Sequence, residues 1–254
     1  MGQLQDKVAI ITGSGAGIGK EIALTYAKEG AKVVIADFNE EALKATVTEL
    51  KEVGFEAFGV KVNVANEDDV QSMIVQSIEQ FGKVDILVNN AGVGDNMQAA
   101  GNVEDAIWTR VMDINVTGVM RCIRAVLPHF EENGGGTIVN MASLTGVVGG
   151  RGGFSYTAAK HAVVGMTKNV ASQYGPLNVR SNAIAPGDVK TDFAKNNFTN
   201  LDQFGLTQAT RGVNLMTRSA EVSDIANIAL FLASEQSSIL NGVVIAADGG
   251  WSAY

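Results

Sequence analysis

Cysteine and histidine are scarce in this 254-residue chain, which holds one cysteine and two histidines. Cys122 therefore has no partner for an internal disulfide, and so few soft ligands argue against a catalytic metal site. Basic residues are also in deficit, 19 against 27 acidic ones, and the formal net charge of -8 would repel nucleic acid and anionic membrane surfaces. We expect a cytoplasmic protein with no metal, nucleic-acid or membrane partner.

Long apolar runs are missing as well. The first apolar run, residues 8–11, is too short for a signal sequence or a membrane span, and Asp6 interrupts the approach to it. We therefore expect no targeting segment. Apolar residues make up 46% of the chain and charged residues 18%, which is typical of a folded globular protein, and we expect a single domain over residues 1–254.

Short β-branched runs alternate with longer amphipathic stretches, the pattern of β-α-β units on a parallel sheet with helices on both faces. The predicted strands are residues 8–11, 32–36, 57–64, 85–90, 137–143, 179–183 and 243–247. The predicted helices are residues 18–29, 40–54, 67–82, 103–130 with a break near Asn115, 156–174 and 224–233. Asn66 is a candidate cap for the third helix.

Residues 191–216, which we name the lid segment, lack a clear period. Long irregular segments between regular elements often cover binding sites. We therefore predict a substrate lid here. Its apolar side chains would line the cover of an apolar substrate: Phe193, Phe198, Phe204 and Met216.

The sequence TGSGAGIG, residues 12–19, lies where the first strand turns into the first helix; we name it the glycine turn. Glycines at Gly13, Gly17 and Gly19 would let the backbone approach a pyrophosphate, while amides at the helix start point toward its negative charge. Turns use glycine in any case, and the spacing differs from the G-x-G-x-x-G dinucleotide pattern, although Gly15 and Gly17 match it in part. The position between strand and helix favours a nucleotide site over a plain turn.

Asp37 ends the second predicted strand, where a carboxylate can accept both ribose hydroxyls of an adenosine and repel a 2'-phosphate. Ser14, Phe38 and Asn39 supply no cation for such a phosphate, so the pattern favours NAD over NADP. The alternative is that Asp37 only begins a turn before the next helix.

Ser143 ends the fifth predicted strand, and Tyr156 and Lys160 lie four residues apart near the start of a helix, on one face. A free phenol has a pKa of about 10, and an adjacent cation would lower it toward neutrality, making Tyr156 an acid/base. Ser143 would donate to the substrate oxygen, and Lys160 would also hold the nicotinamide ribose. An exposed helix carries such a Tyr/Lys pair by chance; the upstream nucleotide signature favours the catalytic interpretation.

With these motifs the chain resembles the single-domain short-chain dehydrogenase/reductase family, from residue 6 to 250. The glycine turn matches its TGxxxGIG motif, NNAG at 89–92 follows the fourth strand, and DINVTG (113–118) and PGDVKT (186–191) match two further segments. The resemblance implies a doubly wound Rossmann-type α/β fold with three layers and a seven-stranded parallel sheet. It also implies a homotetramer built through the helices around 103–130 and 156–174.

The resemblance also assigns roles to further residues. Asn115 would bend its helix and help to hold a water in a proton relay beyond Lys160, and the 186–191 segment would contact the nicotinamide amide. Asn63 replaces an aspartate that bonds the adenine amino group in the family, and its amide oxygen can accept the same bond. The implied catalytic set is Asn115, Ser143, Tyr156 and Lys160. The implied cofactor contacts are Gly13, Ser14, Gly15, Gly17, Ile18, Gly19, Asp37, Phe38, Asn63, Val64, Asn90, Ala91, Gly92, Tyr156, Lys160, Pro186, Gly187, Val189 and Thr191.

The function that the sequence favours is an NAD(H)-dependent oxidoreductase that interconverts a secondary alcohol and a ketone. Three alternatives stay open: a reductase of 3-oxoacyl groups on a carrier protein, which would read NADP through basic residues near 14 and 38; a non-catalytic nucleotide-binding scaffold; and a lyase or epimerase that uses NAD transiently. Residues 94–97 and 144–154 border the expected nicotinamide pocket. Within them Arg151 either meets an anionic substrate or is solvated.

Overall fold

A computed structural model of the chain describes residues 2–193, 195 and 198–253. It contains a seven-stranded sheet in the order β3-β2-β1-β4-β5-β6-β7, with every pair of neighbours parallel, and so confirms the predicted doubly wound α/β fold. The strands are β1 (Val8–Thr12), β2 (Lys32–Asp37), β3 (Ala57–Lys61), β4 (Ile86–Asn89), β5 (Gly136–Met141), β6 (Val179–Pro186) and β7 (Val244–Ala247).

The central strands are buried on both faces because helices cover both sides of the sheet. Every residue of β1 is buried, and its successive side chains enter different cores: Ile11 packs with Ile35 on one face, and Ile10 with Val34 and Leu87 on the other. This alternation follows from the two-residue period of a strand. It explains why the strands appear in the sequence as continuous apolar runs.

Eight helices are described: α1 (Gly17–Lys28), α2 (Glu40–Glu52), α3 (Glu67–Phe81), α4 (Asp105–Met112), α5 (Gly118–Glu132), α6 (Phe154–Tyr174), α7 (Gln203–Ala209) and α8 (Val222–Ala233). Asn66 caps α3 as predicted, because its side-chain oxygen accepts the Asp69 amide at 3.1 Å. None of the helices in the described ranges is long and apolar enough to cross a membrane.

The structure departs from the predicted elements at several points, among them the end of β6, which lies at Pro186 and not at 183. Strand β3 stops at Lys61 rather than 64, because the amide of Asn63 turns from the sheet to the carboxylate of Asp69 at 2.9 Å. The helix predicted over 103–130 is two helices joined by a π-helical turn, Asp113–Thr117, centred on the predicted break. Within the lid segment, α7 was not predicted; the Asp202 carboxylate caps it by accepting the Gly205 amide at 3.1 Å.

Candidate active site

A cleft of about 1230 Å³ runs across the carboxyl ends of the strands, from the glycine turn to the lid segment. Ligands of open parallel sheets bind at this edge, where the strand order reverses between β1 and β4. Most of the sequence-predicted site residues share the lining of this cleft. They are Gly13, Gly17, Ile18, Asp37, Phe38, Asn63, Val64, Asn90, Ala91, Gly92, Ser143, Tyr156, Lys160, Pro186, Gly187, Val189 and Thr191.

The glycine turn has the backbone shape that its sequence predicts. Gly13 and Gly17 have φ of 64° and 58°, a left-handed conformation that favours glycine. A Cβ added at Gly17 would meet only the Thr191 methyl at 3.9 Å, so the backbone there is open to the cleft. No side chain caps the start of α1. Its first amides are therefore free to bind an anion.

Three predicted cofactor contacts in the turn do not line the cleft: Ser14, Gly15 and Gly19. The fully buried Ser14 hydroxyl points into the protein, donating to the Ile11 carbonyl at 2.6 Å and accepting the Ala36 amide at 3.1 Å. A Cβ on Gly19 would lie 2.4 Å from the Gly13 carbonyl oxygen, so this glycine lets α1 pack against its own turn. The sequence pattern identified the turn but not which of its residues face the ligand.

Asp37 holds the turn to the end of β2. Its two carboxylate oxygens accept the amides of Gly15 and Asn39, each at 2.8 Å. The second bond is the local turn that the alternative interpretation of Asp37 predicted, and the first ties the carboxylate to the glycine turn. Gly15 thus acts through Asp37, while Phe38, 68% exposed, forms the outer wall of the cleft.

Asn90 fastens β4 to the glycine turn from the other side. Its side-chain amide donates to the carbonyls of Thr12 at 3.0 Å and Gly13 at 2.9 Å, and the Thr12 hydroxyl accepts the amides of Asn90 and Ala91. Both amide hydrogens of the side chain are used in this network. Asn90 therefore shapes the turn, a role that sequence reasoning missed because the two segments are far apart in the chain.

Asn63 lies at the adenine end that the family resemblance implies. Its side-chain oxygen accepts the Ala65 amide at 3.1 Å. A carbonyl oxygen has two lone pairs, so the second remains available for a donor on a ligand.

Ser143, Tyr156 and Lys160 converge on the middle of the cleft from the end of β5 and the first turns of α6. The Lys160 ammonium is buried, donates to the Met141 carbonyl at 2.8 Å and lies 5.4 Å from the centroid of the Tyr156 ring. The Ser143 oxygen accepts the Thr145 amide at 3.3 Å, and its side chain also forms a hydrogen bond with Tyr156.

The pKa of Tyr156 differs from the value expected from the sequence. Burial raises the pKa of Tyr156 to about 12, opposed by hydrogen bonding to Ser143 and reinforced by the negative charge of Asp95. Burial likewise lowers the pKa of Lys160 to about 8. The expected lowering of the Tyr156 pKa toward neutrality was wrong for this arrangement, because burial of the phenol dominates.

Asn115 lies beneath the cleft rather than in its lining. Its side chain is fully buried in the π-helical turn and pairs with the backbone of Val93, accepting the amide and donating to the carbonyl at 2.8 Å each. A Cβ on Gly92 would come within 3.2 Å of the Asn115 oxygen and 3.6 Å of the Lys160 nitrogen. The missing side chain of Gly92 thus leaves a gap between Asn115 and Lys160, and the relay role implied for Asn115 stays a prediction.

Two buried polar features support the site and were not singled out by sequence reasoning. The Asp95 carboxylate accepts the amides of Met97 at 3.1 Å and Tyr156 at 2.8 Å, a favourable place for negative charge at the start of α6. Desolvation still raises the pKa of Asp95. In addition, the side chain of Asn140 accepts from Asn89 at 2.9 Å and donates to Thr167 at 3.0 Å, linking β4, β5 and α6.

The lid segment contributes an apolar wall. Phe193 packs against the Tyr156 ring and against Phe198, with centroids 6.2 Å apart in each pair. Phe204 and Met216, predicted to line the same cover, lie outside the lining of the cleft, and residues 194, 196 and 197 lie outside the described residues. Further apolar lining that the sequence did not identify comes from Leu201, Leu206, Val213 and Trp251.

Comparisons with known proteins agree with this geometry. The family model described as enoyl-(acyl carrier protein) reductase matches residues 13–252. The chain is 44% identical to 3beta-hydroxysteroid dehydrogenase 2 of Eggerthella lenta, over 99% of the chain and 96% of the relative. It is 36% identical to a 3-oxoacyl-(acyl-carrier-protein) reductase of Staphylococcus aureus, over 96% of the chain and 97% of the relative. The solved structure of a 7 alpha-hydroxysteroid dehydrogenase complexed with NADH and 7-oxo glycochenodeoxycholic acid superposes with a TM-score of 0.87, at 36% identity, covering 97% of this chain and 94% of that one.

Proposed function

Because the chain belongs to the short-chain dehydrogenase/reductase family, whose members act on hydroxyl and carbonyl compounds, we propose that it is an NAD(H)-dependent dehydrogenase that interconverts a secondary alcohol and a ketone. The observation that carries this proposal is one cleft that holds Ser143, Tyr156 and Lys160 together with the glycine turn and Asp37. A proton donor and acceptor therefore lie beside a site suited to a dinucleotide.

The residues at the glycine turn fit a dinucleotide. An uncapped helix start beside the open backbone of Gly17 suits a pyrophosphate, and the carboxylate of Asp37 suits ribose hydroxyls. Asn63 and Val64 would border the adenine, and Pro186, Gly187, Val189 and Thr191 the nicotinamide amide. When bound, the nicotinamide supplies the acceptor or donor of a hydride.

The charges near Asp37 favour NAD over NADP. The position beside it on β3 holds Lys61, but that ammonium is paired with Glu40 at 3.1 Å. Ser14 faces inward and Phe38 carries no charge. A 2'-phosphate would therefore meet the carboxylate of Asp37 with no unpaired cation from these residues to offset it.

Tyr156 and Ser143, in the middle of the cleft, have different roles in proton transfer and hydrogen bonding to the substrate. A phenol with a pKa of about 12 is protonated at neutral pH, so Tyr156 can donate its proton to the oxygen of a ketone that is being reduced. In the reverse direction the deprotonated Tyr156 must accept the alcohol proton, and the hydrogen bond from Ser143, which lowers the Tyr156 pKa, favours that phenolate. Ser143 donates a hydrogen bond to the same substrate oxygen as negative charge develops there.

A bulky apolar alcohol suits the remainder of the cleft. Aromatic and aliphatic side chains of the lid segment cover the side of Tyr156, and apolar linings of this kind bind apolar ligands. Two of the relatives compared above are named as dehydrogenases of hydroxysteroids. Hydroxysteroids are therefore the first substrates to assay.

The alternative functions make different predictions. A carrier-protein-dependent ketoreductase is supported by the Staphylococcus aureus relative, and a clear preference for NADPH together with acyl thioesters would favour it. A scaffold would bind NADH tightly and turn over none of a broad panel of secondary alcohols. The presence of Ser143, Tyr156 and Lys160 in one cleft argues against a scaffold.

We predict that Tyr156→Phe lowers kcat by at least about 100-fold, because it removes the transferred proton, while NADH binding is retained. Turnover is measured by NADH absorbance over secondary alcohols and hydroxysteroids, and NADH binding by fluorescence. Tyr174→Phe, at the far end of the same helix, is the matched control and should stay close to the unmodified protein. Unchanged turnover in Tyr156→Phe would reject the proposed mechanism.

A further inference from the structure

Arg151 is a cation in the cleft wall that the proposed chemistry does not use. One guanidinium nitrogen donates to the Arg211 carbonyl at 2.6 Å, and the group lies 5.1 Å from the centroid of the Trp251 ring. Its Nε is buried without a hydrogen-bond partner. Within the part of the chain that the structure describes, no carboxylate forms a salt bridge with it.

The position of Arg151 places this charge on the substrate side of the cleft. It precedes Gly152, where an added Cβ would lie 3.5 Å from the Tyr156 ring. The lysines that line the cleft already have partners. Lys160 donates a hydrogen bond to the Met141 carbonyl, and Lys190 forms a salt bridge with Glu221. Neither Lys160 nor Arg151 has a salt-bridge partner in the described ranges, but Lys160 already serves the proposed chemistry, so Arg151 is the cation in the lining near Tyr156 that has no role yet.

The surroundings fix the guanidinium and leave its second terminal nitrogen, Nη2, without a hydrogen bond among the described residues. Stacking on the buried Trp251 and the bond to Arg211 restrict its orientation before any ligand arrives. Guanidinium groups match carboxylates through paired N–H donors. An apolar wall with one oriented, unpaired cation is therefore complementary to an apolar molecule that carries a carboxylate.

We infer that Arg151 binds a carboxylate carried by the substrate, at a distance from the carbinol that Tyr156 serves, so that the substrate class is an apolar alcohol with an acidic substituent. The inference rests on the proposed function for the position of the carbinol. It extends that function by proposing that a carboxylate on the substrate, bound by Arg151, determines which hydroxy compounds the protein accepts.

A different role for Arg151 is to hold the lid segment through the Arg211 carbonyl. That role would affect neutral and anionic ligands alike, because the cover of the cleft lies over both. A carboxylate-binding role affects only the anionic member of a matched pair. The ratio of the two affinities therefore separates the roles.

The test measures equilibrium binding, so that it needs no turnover. The ligands are 7-oxo glycochenodeoxycholic acid and 3-oxocholanic acid, each with its methyl ester, titrated at pH 7.5 into the Tyr156→Phe protein loaded with NADH. Charge-assisted hydrogen bonds are worth roughly 10- to 100-fold in affinity, and we expect at least one acid to bind that much more tightly than its ester. Adding Arg151→Met should bring the affinities of the acid and its ester to within about twofold of each other, because the acid loses that one interaction.

Arg211→Met is the matched control, because it removes an equal charge from the neighbouring exposed side chain while keeping the carbonyl that Arg151 contacts. It should preserve the preference for the acid. Arg151→Lys, which keeps the charge but not the paired donors, should show an intermediate preference and serves if the methionine variant fails to bind NADH. The inference is overturned if no acid is preferred, if neither member of any pair binds, or if the preference survives Arg151→Met. Failure of the proposed function is a separate result, because it would appear as turnover by Tyr156→Phe while these affinities stay measurable.

Discussion

At the scale of single residues, Lys160 is a buried ammonium whose hydrogen-bond partner is a backbone carbonyl rather than a carboxylate. A pKa of about 8 instead of the usual 10.5 means that keeping the charge in the folded protein costs about 3 kcal/mol. Burying a charge without a counter-charge is unfavourable, and such groups are found mainly at functional sites. The cost supports a chemical role for Lys160 rather than a structural one.

We predict that Lys160→Met raises the free energy of unfolding at pH 7 by about 1–3 kcal/mol and abolishes turnover. The unfolded chain keeps the lysine proton between pH 8 and 10.5 while the folded protein releases it, so the unmodified protein gains stability as the pH rises through that window. Urea unfolding at pH 7, 8, 9 and 10 should show the difference between the two proteins shrinking. Lys168→Met, an exposed lysine of the same helix, controls for loss of charge alone. A difference that does not change with pH would contradict the assignment of a buried charge.

The proposed preference for NAD depends on one residue, Asp37. We predict that Asp37→Asn lowers kcat/KM for NADH by about tenfold or more and raises the NADPH to NADH ratio by about the same factor. Asparagine has one acceptor oxygen for the two amides that Asp37 now satisfies, and it no longer repels a phosphate. Steady-state kinetics with both cofactors measure the ratio. Glu41→Gln, which removes an exposed charge at the start of α2, should leave the ratio nearly unchanged, and an equal shift in both variants would mean that the effect is not specific to Asp37.

At the scale of elements, the glycine turn depends on how closely α1 packs against β1 and β4. A Cβ at Gly19 would meet the Gly13 carbonyl oxygen at 2.4 Å and the Asn90 side-chain nitrogen at 2.5 Å. The first of these atoms is backbone and cannot move without shifting the turn. The same amide of Asn90 holds the turn in place, so crowding there would disturb both packing and ligand binding.

We predict that Gly19→Ala destabilises the protein by about 1–3 kcal/mol and weakens NADH binding at least tenfold, because overpacking displaces the turn. Thermal unfolding and NADH titration report the two effects. Gly101→Ala is the control, because its added methyl group meets nothing within 4 Å, and it should change stability by less than about 0.5 kcal/mol. An NADH affinity unchanged in Gly19→Ala would show that the turn tolerates the shift.

The elements differ in how well the sequence predicts them. Strands and most helices follow from apolar periods, and Asn66 follows from cap chemistry. The π-helical turn at Asn115 was predicted as a break but not as a π-helix, because Asn115 pairs with the backbone of Val93 in the loop after β4, far away in the chain. Helix α7 was missed because its short sequence, QFGLTQA, shows no period long enough to detect. Contacts between distant segments therefore determine those elements that local sequence patterns do not predict.

At the scale of the whole molecule, the motifs predicted which residues would share a cleft, since parallel strands bring their carboxyl ends to one edge of the sheet. The motifs did not predict which residues lie in the lining of the cleft and which lie behind it. Ser14, Gly15, Gly19 and Asn115 lie behind the lining, and Trp251 lies in it; the burial of these residues depends on packing between distant segments. The reversed pKa expectation for Tyr156 has the same origin, because desolvation is a property of the folded surroundings.

The network between Thr12 and Asn90 has a consequence for the order of folding. The hydrogen bonds that fasten the glycine turn join residues 78 apart in the chain, and β1 also pairs with β4, which follows α1, β2, α2, β3 and α3 in the chain. Contacts so distant in sequence carry a loop-closure cost and form slowly. During synthesis, a nascent chain that ends before residue 90 already contains the whole TGSGAGIG sequence but none of the Asn90 bonds that shape it. The glycine-turn end of the cleft is therefore completed only after β4 has joined the sheet and brought Asn90 to it.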